Sequence, residues 1–279
     1  MPVHGGLADL VDRRVPLGER GRFVREADRL PSVRVTRADL STVHRIADGA
    51  LSPLQGPMRA EQWNGVLDAK CIEVGGHRYA WAIPLALPVT SDEAASLSRG
   101  GSVALRDEAG GVVGIVDELE CFEWDKARYV EKVYRTRRFD HPGGRAVEGD
   151  PRDKLLGGAL RALPQPVDPD YGEYMLSPRI TRALIRERKW ERALAFQTRN
   201  PLHRAHEYAL VVGLERLTRE GHLAGAVLNP LVGETKGDDV DAATRMRTYR
   251  ALIERNALGE GDMDEELWKK VGRNFHDHV

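Results

Sequence analysis

Ala193-Leu194-Ala195-Phe196-Gln197-Thr198-Arg199-Asn200-Pro201-Leu202-His203-Arg204-Ala205-His206 changes character twice within fourteen residues. Ala193 to Phe196 is a short apolar run of the kind that forms a buried strand, and Gln197 to Asn200 is a polar crossover. Pro201 suits the first position of a helix, and Leu202, Ala205, Ala209 and Val212, spaced by three and four, predict a helical apolar stripe. Downstream the pattern repeats. Ala224 to Leu231 is the next strand candidate. Ala243, Met246, Tyr249, Leu252 and Ile253 mark another helix, opened by Asp238, Asp239 and Asp241 as capping or dipole-matching acids. Strand, helix, strand, helix in succession predicts a parallel, Rossmann-like sheet, so the chain reads as α/β overall.

Upstream the texture differs. Residues 141 to 178 are dense in glycine and proline (Pro142-Gly143-Gly144, Gly157-Gly158, Pro164, Pro166, Pro169, Pro178) and read as a boundary or a long ordered connection. Before them lie short apolar runs separated by glycine turns: Cys71–Val74, Tyr79–Ile83, Val103–Leu105 and Val112–Val116, a β-rich region. Asp107 to Gly111 reads as a hairpin loop. Helices fit Thr36 to Ala50, with Thr36 as N-cap, and Ser91 to Ser98; residues 1–30 are polar and Arg-rich with room for one short helix. The expected division is an extension over 1–30, a β-rich domain over 31–178 and an α/β domain over 179–279.

Composition narrows the classes of function. The 42 Lys+Arg residues nearly cancel the 43 Asp+Glu residues for a net charge of −1, which argues against bulk nucleic-acid binding without excluding a local anion pocket. The apolar run Tyr79 to Val89 is broken by Pro84 and Pro88 and is too short to cross a bilayer, and no apolar leader opens the chain, so a cytoplasmic protein is expected. Cys71 and Cys121 carry neither a disulfide framework nor metal-ligand spacing.

The polar crossover is where chemistry is expected. In parallel α/β sheets ligands bind at the carboxyl ends of strands, facing helix N-termini whose unpaired N–H groups and dipole attract anions. Arg199 adds a planar fork matched to a tetrahedral oxyanion. His203 and His206, three apart, share a helix face and can donate to phosphate oxygens. Other readings stand beside this one. The two histidines could be a zinc pair, although helical zinc pairs usually have a spacing of four and a third ligand, or they could be solvated surface residues. Arg199 could be an ordinary salt-bridge partner. The run Gly233 to Asp239 lacks the order of glycines that a phosphate loop needs.

The segment Phe196 to Glu207 closely resembles the signature of the ATP sulfurylase (sulfate adenylyltransferase) family. Asn229 to Lys236, with Asp238 to Asp241 and Thr244 to Arg247, resembles its second block. Leu51 to Met58, Trp81 to Leu85 and Val133 to Gly143 are similar to the family's PUA-like N-terminal domain, and Leu258 to Asp262 with Leu267 to Lys270 look most like the branch of sulfur-metabolising bacteria and archaea. The resemblance implies a PUA-like domain followed by a nucleotidyltransferase domain. It also implies direct attack of a sulfate oxygen on the α-phosphorus of MgATP, giving adenylyl sulfate and pyrophosphate, or the reverse. By position it implies that Gln197 and Arg199 hold sulfate and that Thr198, Arg199 and Asn200 form the catalytic loop. Gln197, Thr198, Arg199, Asn200, His203 and His206 then contact ATP. No metal site is implied, Mg²⁺ entering only as MgATP, and neither nucleic acid nor membrane is an expected partner; a homo-oligomer is. The family's Gly-Arg-x-His-Ala-type loop is absent from this sequence, so the α/β domain reads as incomplete at its C-terminus. That leaves a second expectation, a catalytically silent chain serving as a binding or oligomer partner, or a gene fragment.

Overall fold

A computed structural model describes residues 2–138, 140–232 and 239–279. Phe139 and the segment 233–238, including Thr235, Lys236 and the expected capping acid Asp238, lie outside the described residues. The chain divides into two compact units, Met1–Asp168 with Leu176–Arg179, and Pro169–Met175 with Ile180–Val279.

The first unit contains α1 (Arg20–Ala27), β1 (Ser32–Arg34), α2 (Arg37–Ala47), α3 (Ala60–Ala69), β2 (Cys71–Val74), β3 (His77–Ala80), β4 (Leu87–Val89), α4 (Ser91–Ala95), β5 (Val103–Arg106), β6 (Val112–Glu123), α5 (Lys126–Tyr134), α6 (Pro142–Glu148) and β7 (Lys154–Ala162). Five strands form one sheet in the order β1-β5-β6-β7-β4, antiparallel except for β1 beside β5, and β2 and β3 form a separate hairpin. The local signals behave as their chemistry requires. Thr36 caps α2 in a capping box: its side chain accepts from the Asp39 amide while the Asp39 carboxylate accepts from the Thr36 amide at 2.9 Å. Asp107 to Gly111 closes the β5–β6 hairpin, the Asp107 carboxylate accepting from the Gly111 amide at 2.7 Å. α4 is shorter than the Ser91–Ser98 expectation, and β3 begins two residues before Tyr79 and ends before Trp81.

Two expectations need correction here. The glycine- and proline-rich region 141–178 is not merely a connection. It contains α6 and then β7, which lies inside the sheet between β6 and β4. Gly157 and Gly158 are packing glycines. The segment Gln55–Met58 crosses directly over β7, with the Gly158 amide donating to Pro57 O and the Leu160 amide to Gln55 O, both at 2.9 Å. A Cβ on Gly157 would sit 2.2 Å from Met58 O. Glycine inside a strand marks close approach of another backbone as often as a turn. Residues 1–30, expected as an extension, are built into the unit. The Val15 amide donates to Ala162 O at 2.8 Å, the Ala162 amide donates to Arg13 O at 3.0 Å, and buried Phe23 and Ala27 pack with Ala104 and Ile115.

In the second unit, α7 (Pro178–Glu187) leads into β8 (Arg192–Thr198), α8 (Arg204–Arg219), β9 (Ala224–Pro230), α9 (Ala242–Glu254) and α10 (Glu265–Val271). β8 and β9 pair in parallel, from Arg192 opposite Ala224 to Thr198 opposite Pro230, with α8 as the crossover; this is the strand-helix-strand succession expected. The buried face of α8 is not the expected stripe. Ala205, Ala209 and Val212 are exposed, and the helix buries Glu207, Leu210, Val211, Leu214, Glu215 and Thr218. Two buried glutamates concealed the periodicity, and each is buried because backbone comes to meet it. Glu207 accepts from the Gly259 amide at 2.9 Å; Glu215 accepts from the Asp264 amide at 2.7 Å and from the Trp268 indole N–H at 3.2 Å. Replacing Glu215 by Ala would strand the buried Trp268 indole N–H and the half-buried Asp264 amide. The expected cost is about 3 kcal/mol, read as a lowered denaturation midpoint of this unit by Trp268 fluorescence.

Candidate active site

The carboxyl end of β8 and the start of α8 bring most of the expected residues into one connection, with local geometry that differs from expectation. Gln197 and Thr198 are the last residues of β8, not part of the crossover, and Gln197 is exposed opposite Asn229. Pro201 is not the first helical residue. After a bend at Arg199–Asn200 the chain reaches His203, the extended N-cap (φ −134°, ψ 168°), and α8 begins at Arg204. Leu202, just before the helix, is buried in the core cluster that includes Leu210, Leu214 and Tyr249. Thr198 folds the turn from the side, its hydroxyl accepting from the Asn200 amide at 3.0 Å.

His203 and His206 come together, their ring centroids 3.7 Å apart, with Phe196 meeting His206 edge-on at 5.3 Å. Burial first, and the neighbouring His203 second, hold the His206 pKa below the ordinary histidine value, partly opposed by a hydrogen bond to the Pro201 backbone. His206 is therefore neutral at physiological pH, and its Nδ1 is buried without a partner among the described residues. His203, as N-cap, lies beside the unpaired amides of a 16-residue helix. Arg204 is used structurally, donating to Glu260 O at 2.6 Å and pairing with Asp262 at 3.0 Å. Among the described residues no three His, Cys, Asp or Glu side chains gather as a metal site.

Arg199 is partly exposed (40%), and its Nε lies 3.5 Å from the Asp239 carboxylate, which is 4% exposed. Asp239, expected as a capping or dipole-matching acid, thus also faces the Arg199 guanidinium. Asp241 caps α9, accepting from the Thr244 amide at 2.8 Å. The pair joins the β8–α8 connection to the β9–α9 connection. A nearly buried carboxylate behind a half-open guanidinium fixes the direction of the fork while leaving it able to meet an anion. The sequence did not single out Asp239 as this partner, because three acids in four residues, Asp238, Asp239 and Asp241, are equivalent in a linear pattern. It also missed Tyr249, expected as a core residue, whose hydroxyl donates to Asn200 O at 3.2 Å.

Fold and connection define a protein of two units, a mixed α/β unit followed by a nucleotide-binding type of α/β domain. Residues 1–165 match the PUA-like domain family and residues 172–263 match the ATP-sulfurylase family. The sulfate adenylyltransferase of Pyropia yezoensis is 48% identical over 281 residues, covering 100% of this chain and 66% of the relative. That of Synechococcus sp. (strain JA-3-3Ab) is 36% identical over 91% of this chain and 62% of its own length, and that of Symbiobacterium thermophilum is 38% identical over 90% and 61%. Among solved structures, a hexameric APS kinase from Thiobacillus denitrificans aligns with a TM-score of 0.66 at 25% identity, covering 91% of this chain and 44% of that one. The chain belongs to the ATP-sulfurylase family, with a PUA-like N-terminal domain. It spans about two thirds or less of the length of these curated relatives.

Proposed function

We propose that the chain takes part in sulfate adenylyl transfer: a sulfate oxygen forms a bond to the α-phosphorus of MgATP as the bond to the bridging oxygen of pyrophosphate breaks, giving adenylyl sulfate and pyrophosphate, or the reverse. The observation that carries this reading is the β8–α8 connection. There an arginine paired with a nearly buried carboxylate and two histidines in close, tilted ring contact lie at one helix N-terminus, within the segment matched to the ATP-sulfurylase family. Such a transfer needs no covalent intermediate, and its catalysis is mostly positioning plus neutralisation of oxyanions. In this reading Gln197 and Arg199 hold sulfate, and Thr198, Arg199 and Asn200 shape the loop around sulfate and α-phosphate. His203 and His206 bind the phosphates and meet the departing pyrophosphate. Mg²⁺ arrives and leaves with the nucleotide. The working division is a PUA-like domain that includes residues 1–30 and runs to about 165, and a transferase domain from 172 onward, in a cytoplasmic homo-oligomer; the hexamer named for the structural neighbour supports the last point. Among the described residues no helix is long and apolar enough to cross a membrane.

Pyrophosphate release from ATP, measured with and without sulfate on this chain, is the direct test; release that does not depend on sulfate would reject the reading. A further outcome is expected of the histidines. A bound phosphate favours the protonated imidazole, so it should raise the His206 pKa from its depressed value. Nucleotide binding should then take up a proton between the free and bound pKa values and strengthen as pH falls through the bound value toward the free one, which lies below the ordinary histidine value. Calorimetry in two buffers of different ionisation enthalpy measures the uptake, and His206→Asn should abolish it.

A further inference from the structure

Helix α9 carries two buried side chains one turn apart, Arg245 and Tyr249, whose polar atoms are directed at loop backbone. Arg245 is fully buried (0% exposed), and its two terminal nitrogens donate to Leu231 O and Val240 O, at either end of the connection between β9 and α9. The Tyr249 hydroxyl donates to Asn200 O at 3.2 Å, in the connection between β8 and α8. Two of these acceptors are immediate neighbours of the ion pair described above: Val240 follows Asp239, and Asn200 follows Arg199. One rigid helix therefore grips both loops next to the residues that face each other across the site.

We infer that Arg245 and Tyr249 are positioning residues, which set the register of the Arg199 loop against the Asp239 loop and so aim the Arg199 guanidinium. The role assigned to Arg199 rests on the function proposed above; the register itself does not. A buried guanidinium is expensive to hold, and a core that needed only packing would be filled better by an apolar side chain of the same volume. Among the described residues the Arg245 partners are main-chain carbonyls, and its Nε has none. What the planar fork supplies is simultaneous reach to two carbonyls nine residues apart, which a single ammonium cannot reproduce. Tyr249 supplies one directional donor, kept protonated because burial raises its hydroxyl pKa, an effect that Arg245 only partly offsets.

Peptide-resolved amide hydrogen exchange on the full chain, wild type against Tyr249→Phe and Arg245→Lys, tests this. For Tyr249→Phe the expected result is exchange about tenfold faster in 198–203, with the interior of α8 unchanged. For Arg245→Lys it is faster exchange in 239–242, spreading to 198–203, again with α8 unchanged. In the sulfate-dependent assay both variants should raise KM for sulfate several-fold; the thermal midpoint should stay near wild type for Tyr249→Phe and fall for Arg245→Lys, whose buried carbonyl partners lose a donor. Uniformly faster exchange through α8 and β9 would show that the two side chains only stabilise the unit, and unchanged exchange would show that they do not hold the loops. Either result overturns the inference. A wild type that shows no turnover counts against the proposed function alone, because exchange reports the register without it.

Discussion

Arg199→Ala is expected to lower sulfate-dependent pyrophosphate release by about a hundredfold or more, the usual loss when one charge-assisted donor to a transition-state oxyanion is removed. Arg199→Lys is expected to recover little of it. The argument is geometric: Asp239 fixes the guanidinium from one side through Nε at 3.5 Å, and a planar fork held by one edge still presents its remaining N–H groups in a known direction. An ammonium in the same place satisfies Asp239 or the anion but has no fixed plane with which to serve both. Stability should stay near wild type in Arg199→Lys, whereas Arg199→Ala removes the cation beside a carboxylate that is only 4% exposed and should lower the melting midpoint, so activities are compared well below it. Steady-state kinetics at saturating MgATP with sulfate varied, alongside thermal melts, separates the two effects. An active Lys variant would mean that the charge, not the fork, is what the site uses.

What could be read from the sequence, and what could not, follows from the range over which each interaction acts. The cap at Thr36, the hairpin loop at Asp107 to Gly111 and the order of β8, α8, β9 and α9 depend on neighbours within a few residues, and periodicity reports them. The motif residues 197–206 are legible as a group because they are consecutive, running from the end of β8 into the first turn of α8. What failed depends on distant partners. Glu207 and Glu215 look like surface residues until the backbone of Gly259 and Asp264 arrives to bond them, so the buried face of α8 was assigned to the wrong side. Pro201 looks like a helix start until Leu202 is seen buried beneath it. Asp239 is told apart from Asp241 by its carboxylate lying 3.5 Å from the Arg199 Nε, a partner forty residues away that no linear pattern reports. Gly157 and Gly158 read as punctuation because the Gln55–Met58 segment that crosses their strand lies about a hundred residues earlier in the chain.

Gly56→Ala carries that last point to an expected loss of folding in the first unit. Built on this backbone, the new methyl carbon would lie 1.9 Å from Gly158 O, 2.8 Å from Leu160 N and 3.0 Å from Gly158 C. All three are main-chain atoms of β7, and none can swing aside as a side chain would. Relief would require lifting the Gln55–Pro57 segment off the strand, breaking the Gly158 N–H to Pro57 O and Leu160 N–H to Gln55 O hydrogen bonds and unseating Leu54 and Met58, both at 2% exposure or less in the core. Two buried hydrogen bonds and two core side chains put the loss at on the order of 4 kcal/mol or more. Against a typical domain stability of about 5–15 kcal/mol, that populates unfolded chain or abolishes soluble expression. Gly65, in the middle of α3, is the matched control, because a methyl group added there would have nothing within 4 Å. Gly65→Ala removes the entropic penalty of a helical glycine and should stabilise the same unit by about 0.5–1 kcal/mol. Urea denaturation followed by the fluorescence of Trp63 and Trp124 ranks the three chains. A Gly56→Ala midpoint equal to wild type would mean that the segment does not press on β7 as closely as described. The opposite signs expected for one substitution at two glycines make the result independent of any general tolerance to alanine.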